Sequence, residues 1–237
     1  MSELGRYQHD VALEDDDLRE QGGHGGEIHL LPRRRSDYER LVKPTLDRML
    51  AGLLLLVVSP VVAMVALVVA VTLGRPLLYR QQRVGLDGQP FDMLKFRTML
   101  PDRRGNPQHL KWEDGPDRRF THKSAHDPRH VPIGLFLRRF SLDELPQLWN
   151  VVRGDMSLIG PRPELVHVVA SYESWQHARH AVKPGITGLW QITDRANGDL
   201  MLNHTDTDLR YLERISLGTD LRILLLTIPA ALRRQGD

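Results

Sequence analysis

Met49–Leu73, MLAGLLLLVVSPVVAMVALVVAVTL, runs without a single charge and is interrupted near its middle by Ser59-Pro60. As one helix it would reach about 37 Å, enough to cross a hydrocarbon core of ~30 Å. Pro60 has no amide to donate to Leu56 and favours a bend, while the Ser59 hydroxyl can bond back to a freed carbonyl. Both flanks are basic, with Arg40, Lys43 and Arg48 before the stretch and Arg75, Arg80 and Arg83 after it. Positive flanks favour the cytoplasmic side, so a crossing helix leaves one flank misplaced. A hairpin broken at Ser59 and Pro60 satisfies both, with limbs of about ten and thirteen residues, each roughly one leaflet deep. A kinked crossing helix is the alternative, because prolines are tolerated in membranes.

Working outward, residues 1–36 combine an acidic run, Glu14-Asp15-Asp16-Asp17, with Gly22-Gly23-His24-Gly25-Gly26 and little apolar surface. Such a composition is expected to be a disordered tail, and no early apolar segment suggests a cleavable signal. On the other side, Leu77-Leu78-Tyr79-Arg80 leads to the turn residues Asp87-Gly88 and a returning strand, Phe91–Arg97. This reads as a β-hairpin that puts Lys95 and Arg97 on one face. Residues 101–130 are polar and broken by proline. Leu135–Val152 reads as helix with a break near Ser141 and a stop at Gly154, Leu165–Ala181 as a further helix, and Ile186–Ile192 as a short strand. Asp220–Arg234 is expected to be a surface-lying amphipathic or core helix, too short to span.

The resulting expectation is an α+β protein in three parts. Residues 1–36 are the tail, 37–76 a membrane-associated re-entrant helix-break-helix hairpin, and 77–237 a small, mostly helical domain with a short β-hairpin and surface-lying amphipathic helices.

Composition excludes more than it assigns. A net charge of +2 over 237 residues predicts no partner, and the absence of cysteine removes thiolate chemistry, thiolate metal sites and disulfides. The arginines fall in short pairs and triplets rather than one long basic stripe, which argues, with the apolar segment, against a nucleic-acid partner.

Chemistry concentrates in Arg138-Arg139-Phe140-Ser141-Leu142-Asp143-Glu144-Leu145-Pro146-Gln147. Ser141 and Glu144 have capping-box spacing; alternatively Asp143 is the N-cap and Pro146 sits in the first turn. In both readings Asp143 lies at a helix start, where free amides favour negative charge, and arginines stand just upstream.

Several separated motifs carry a resemblance over about Lys43–Leu232. They are the apolar segment with Ser59-Pro60, Arg83-Val84-Gly85, Lys95-Phe96-Arg97-Thr98-Met99, and Ser141-Leu142-Asp143-Glu144-Leu145-Pro146-Gln147-Leu148-Trp149-Asn150. Arg153-Gly154-Asp155 with Ser157-Leu158-Ile159-Gly160-Pro161-Arg162-Pro163-Glu164, and Lys183-Pro184-Gly185-Ile186-Thr187-Gly188-Leu189-Trp190-Gln191, complete the set. In this order they resemble the bacterial sugar transferases of the monotopic phosphoglycosyl transferase family.

The resemblance implies a membrane enzyme moving a sugar 1-phosphate from a UDP-sugar to polyprenyl phosphate at the inner membrane, its domain facing the cytoplasm. It implies Asp143 as a nucleophile forming an aspartyl phospho-sugar, and Glu144 joining Asp143 in holding Mg²⁺, which takes hard oxygen ligands. Arg138 and Arg162 are implied as phosphate or nucleotide contacts, Arg162 being held by Pro161 and Pro163; Lys95 and Arg97 would meet phosphate or lipid headgroup. Membrane lipid and a second copy of the chain are further expected partners.

Leu135, Asp194 and the long polar segment at about 103–127 depart from the usual pattern, the last two where donor selectivity could reside. An inactive membrane scaffold and a metal-dependent diphosphate hydrolase are the competing functions.

Overall fold

The computed structural model describes residues 35–100, 129–193 and 205–233, with side chains described as far as residue 227. The expected tail (but for its last two residues), the whole polar 103–127 segment and Asp194 lie outside these residues.

A wide turn, Tyr38–Val42, leads into α1, Lys43–Leu73, a helix of 31 residues with Pro60 inside it. The helix continues through Ser59 and Pro60, so no stretch of non-helical chain separates the two limbs that the sequence reading expected. The physical reason is local. Pro60 takes the donor from the Leu56 carbonyl, and the Ser59 hydroxyl replaces it, donating to Leu56 O at 2.8 Å. With the preceding turn, the helix is long and apolar enough to cross a membrane. Leu53, Leu56, Val57, Met64, Leu67 and Val71 are exposed along it, while Asp47, Ala51, Val65 and Val69 are buried on the opposite stripe.

Both ends of α1 are tied to the rest of the chain. At its start, Lys43 Nζ lies 2.6 Å from Asp220 Oδ2, and the Ser157 hydroxyl donates to Asp47 Oδ2 at 2.6 Å. At its end, Val65 and Val69 pack with Phe96 and Leu137, flanked by Leu73, Leu77 and Leu142. Gly74, at φ 73, stops the helix, and the Arg97 guanidinium donates to the carbonyls of Leu73, Gly74 and Arg75. Those are the last carbonyls of α1 and its sequel, which lack amide partners of their own.

The expected hairpin is present: β1, Leu78–Val84, pairs antiparallel with β2, Pro90–Phe96, with Leu78 opposite Phe96 and Val84 opposite Pro90. Asp87 and Gly88 both take positive φ at the turn, the conformation for which this dipeptide is suited. α2 is Pro132–Arg139 and α3 is Gln147–Arg153, ended by Gly154 at φ 94 as its sequence suggested. Gly134 lets α2 sit directly on β2's continuation, since a Cβ there would lie 1.9 Å from Thr98 O. Asn150, fully buried, receives the Leu94 amide at 3.0 Å and donates to Asp92 O at 2.8 Å, fixing α3 across β2.

Two expectations fail further along. β3, Ser157–Ile159, pairs in parallel with β4, Gly185–Thr187, and the chain then turns into a short helix, α5, Leu189–Thr193; only the first part of the expected 186–192 strand is strand. The helix expected over 165–181 is broken into α4, Val166–Val169, and a 3₁₀ segment, Ser174–Ala181, because Glu173 and Gln176 form a reciprocal capping box that restarts the chain. α6, Thr205–Glu213, and α7, Leu217–Arg233, complete the fold. Tyr211 and Ile223 from these helices are almost fully buried, and Leu221, Leu224 and Leu225 leave an exposed apolar face on α7.

Candidate active site

The carboxylate pair is carried by a one-turn 3₁₀ helix, Leu142–Glu144, between α2 and α3. Ser141 turns the chain there with φ 55, a left-handed conformation uncommon outside glycine. Neither expected cap is formed: Ser141 makes no side-chain cap bond, and Pro146, not Asp143, occupies the N-cap position of α3. Leu142 is packed against the Val65–Phe96–Leu137 cluster, so the turn is held by the core beneath it.

Asp143 is buried, 8% exposed. Burial, and then the negative charge of Glu144 beside it, push its carboxyl up to about 6, while Lys95 and Arg138 pull it back. Lys95 Nζ donates to Glu144 Oε1 at 3.0 Å, and an Arg162 nitrogen lies 3.9 Å from the same oxygen. Burial lowers the Lys95 ammonium below its usual range, an effect that Glu144 opposes. Arg138, near the end of α2, donates to Thr98 Oγ1 at 2.8 Å and lies 3.2 Å from His130 Nε2. The turn thus sets two adjacent carboxylates among three cations drawn from β2, α2 and the Pro161–Pro163 segment.

Of the residues singled out from the sequence, Asp143, Glu144, Lys95, Arg138 and Arg162 come together. Arg97 does not: β2 ends at Phe96, and the next side chain turns to the end of α1. Pro161 and Pro163 flank Arg162 with their carbonyls engaged, by the Gly185 amide at 2.8 Å and by Arg83 at 3.0 Å. Ser59 and Pro60 belong to α1. Sequence reading counted Arg83 only as a basic flank of the apolar run and missed Arg179 and Asp208; all three are buried. Arg83 sits in a quoted motif, but nothing local tells that it points inwards.

Among the described residues no group of three or more His, Asp or Glu side chains could hold a metal by itself. The adjacent Asp143 and Glu144 offer hard carboxylate oxygens, the donor type that magnesium takes one or two of beside water and substrate phosphates.

A family model described as bacterial sugar transferase matches residues 38–234. The chain is 39% identical over 203 residues to the UDP-glucose:undecaprenyl-phosphate glucose-1-phosphate transferase of Escherichia coli, covering 81% of this chain and 40% of that protein. It is 39% identical over 212 residues to a protein of the same name from Caulobacter vibrioides, covering 85% and 73%. With the exopolysaccharide production protein ExoY of Sinorhizobium fredii it shares 38% identity over 204 residues, covering 82% and 87%. The chain therefore spans two-fifths of the E. coli relative but most of the other two. Its family match takes in the long helix, the carboxylate turn and the helices that follow, and on that match the chain belongs to the bacterial sugar transferases.

Proposed function

We propose that the protein transfers a sugar 1-phosphate from a UDP-sugar to undecaprenyl phosphate, with Asp143 as the attacking group. The observation that carries this reading is the convergence of Lys95, Arg138 and Arg162 on the Asp143–Glu144 pair. In the first step a carboxylate oxygen of Asp143 attacks the phosphorus bonded to the sugar. The bond from that phosphorus to the bridging oxygen breaks, and UMP leaves with the electron pair. In the second step a phosphate oxygen of the lipid attacks the same phosphorus, returning Asp143 as a free carboxylate and giving a lipid diphosphate sugar. An acyl phosphate keeps enough transfer potential for this exchange.

Phosphoryl transfer demands mainly positioning and charge stabilisation. Arg162 and Lys95 supply positive charge on the Glu144 side, and Arg138 on the Asp143 side. Asp143 and Glu144 would hold Mg²⁺, which neutralises diphosphate charge. The relatives whose names state UDP-glucose and undecaprenyl phosphate support the substrate pair, and ExoY supports a place in exopolysaccharide synthesis.

The same reading places α1 in the inner membrane of a bacterium, bent at Pro60 so that both ends lie on the cytoplasmic side, where UDP-sugars are made. Supporting it, the polar contacts at Lys43 and Asp47 and the Arg97 cap at Leu73 belong to one fold joined through β2, α3 and β3. A crossing helix would separate those contacts by the hydrocarbon core, with no water to solvate the polar groups between them.

The test is UMP release by purified protein with Mg²⁺, over a panel beginning with UDP-glucose and UDP-galactose. Sustained release that requires undecaprenyl phosphate supports the transferase. Sustained release without lipid would mark a hydrolase, and no release from any donor a scaffold.

A further inference from the structure

The segment from Pro161 to Glu164 has no regular secondary structure, yet each of its carbonyls is engaged. Pro161 O accepts from the Gly185 amide at 2.8 Å, and Glu164 O from the Val84 amide at 2.9 Å. Between them the acceptors are met by side chains: Arg179 donates to Arg162 O at 2.9 Å, and Arg83 to Pro163 O at 3.0 Å. Both guanidiniums are deeply buried, Arg179 at 2% and Arg83 at 5% exposure. Buried arginines are costly unless paired. Arg179 faces Asp208 at 2.5 Å, and Arg83 faces Glu164 at 3.7 Å. Arg179 also donates to the Tyr172 hydroxyl at 2.5 Å, so its planar fork is used on several sides at once. A core that needed only to be filled would place apolar side chains here. What these arginines reach instead are two consecutive backbone carbonyls, of Arg162 and Pro163, and the Arg162 side chain points at Glu144.

We infer that Arg179, paired with Asp208 and assisted by Arg83, is a positioning residue that aims Arg162 at the donor diphosphate. The inference rests on the proposed role of Arg162 as a donor contact. Arg179 is too far inside to meet substrate and acts through the carbonyl it holds. Lysine at this position keeps a positive charge opposite Asp208 but loses the fork that reaches the Arg162 carbonyl and Tyr172 together.

The test is a double-mutant cycle on donor kcat/KM, which in a two-step transfer reports only events up to UMP release. Arg162→Ala and Arg179→Lys should each lower it, Arg179→Lys by up to about a hundredfold, the loss that a reacting group misplaced by about 1 Å can cause. In the Arg162→Ala background, Arg179→Lys should add nothing further, because the group it aims is gone. Arg83→Lys, acting on the next carbonyl, should behave in the same way and carries the test if Arg179→Lys does not fold. Equal losses in both backgrounds would overturn the inference while leaving Arg162 as a donor contact. Unchanged donor kcat/KM in Arg162→Ala would remove the donor contact itself, and the inference with it.

Discussion

The Lys95 ammonium donates to the Glu144 carboxylate at 3.0 Å, and that bond joins the β-hairpin to the turn carrying Asp143. The two residues are remote in sequence and come from elements with separate reasons to form, one an Asp-Gly hairpin and the other a left-handed turn between helices. Lys95 answers the charge of Glu144, and through it the charge next to Asp143. The packing of β2 against the turn therefore supplies one of the charges that oppose burial and Glu144 at Asp143.

Asp143→Asn should abolish turnover yet raise stability at neutral pH. In the folded protein the Asp143 carboxyl is raised to about 6 from an ordinary value of 3.8. A raised acid favours folding while it is protonated, below the unfolded value, and loses that advantage as pH rises through about 6. The ionised group thus costs stability at pH 7.5, by at most about 3 kcal/mol for a shift of this size. Thermal melts should show the Asn variant above wild type at pH 7.5, with the gap closing towards pH 4. A variant no more stable than wild type at either pH contradicts the burial argument.

Lys95→Met should move the acid limb of the donor kcat/KM profile to higher pH. Asp143 attacks as the carboxylate, so activity falls as pH drops through its titration near 6. Lys95 is one of the charges holding that titration down, and its removal lets Glu144 and burial push further. An acid limb in the same place for both proteins would mean that Asp143 does not feel Lys95.

Arg97→Met should weaken the fold and spare the donor. The guanidinium serves the carbonyls of Leu73, Gly74 and Arg75, and charged hydrogen bonds of this kind are worth about 1.5–3 kcal/mol each before their costs. A melting temperature lower by about 5 °C, with donor KM within twofold of wild type, is the expected result. A raised KM at unchanged stability would return Arg97 to the substrate.

Arg97 also shows where reading the sequence stopped. Alternation along a strand puts Lys95 and Arg97 on one face, but it cannot tell that the strand ends at Phe96 and that an orphaned helix end is waiting beside the next residue. Features set by neighbours in sequence were legible: the apolar run, the Asp87-Gly88 turn, the Gly154 stop, and the Ser59 hydroxyl serving the carbonyl that Pro60 leaves open. Features set by distant partners were not. β3 and β4 are three-residue strands that exist only because they pair with each other. The break in the 165–181 helix depends on the Glu173–Gln176 box, a short signal outweighed by the apolar residues before it. Arg179 and Asp208 look like ordinary surface charges until the fold buries them together.

Single cysteines placed at Ser36 and Gly88 test the topology of α1 in this cysteine-free chain. With both ends of the helix on the cytoplasmic side, neither site should react with a membrane-impermeant thiol reagent in intact cells, and both should react after lysis. Labelling of the Ser36 site alone in intact cells would establish a crossing helix.

The central claim is covalent, so it is read most directly by mass. Purified protein is incubated with Mg²⁺ and a UDP-sugar that supports turnover, without undecaprenyl phosphate, and its intact mass is measured. The account predicts a gain of one sugar phosphate, matched by one UMP released per protein, discharged when the lipid is added and absent from Asp143→Asn. An adduct that forms equally on the Asp143→Asn protein, or lipid-dependent turnover by that variant at the wild-type rate, would contradict it.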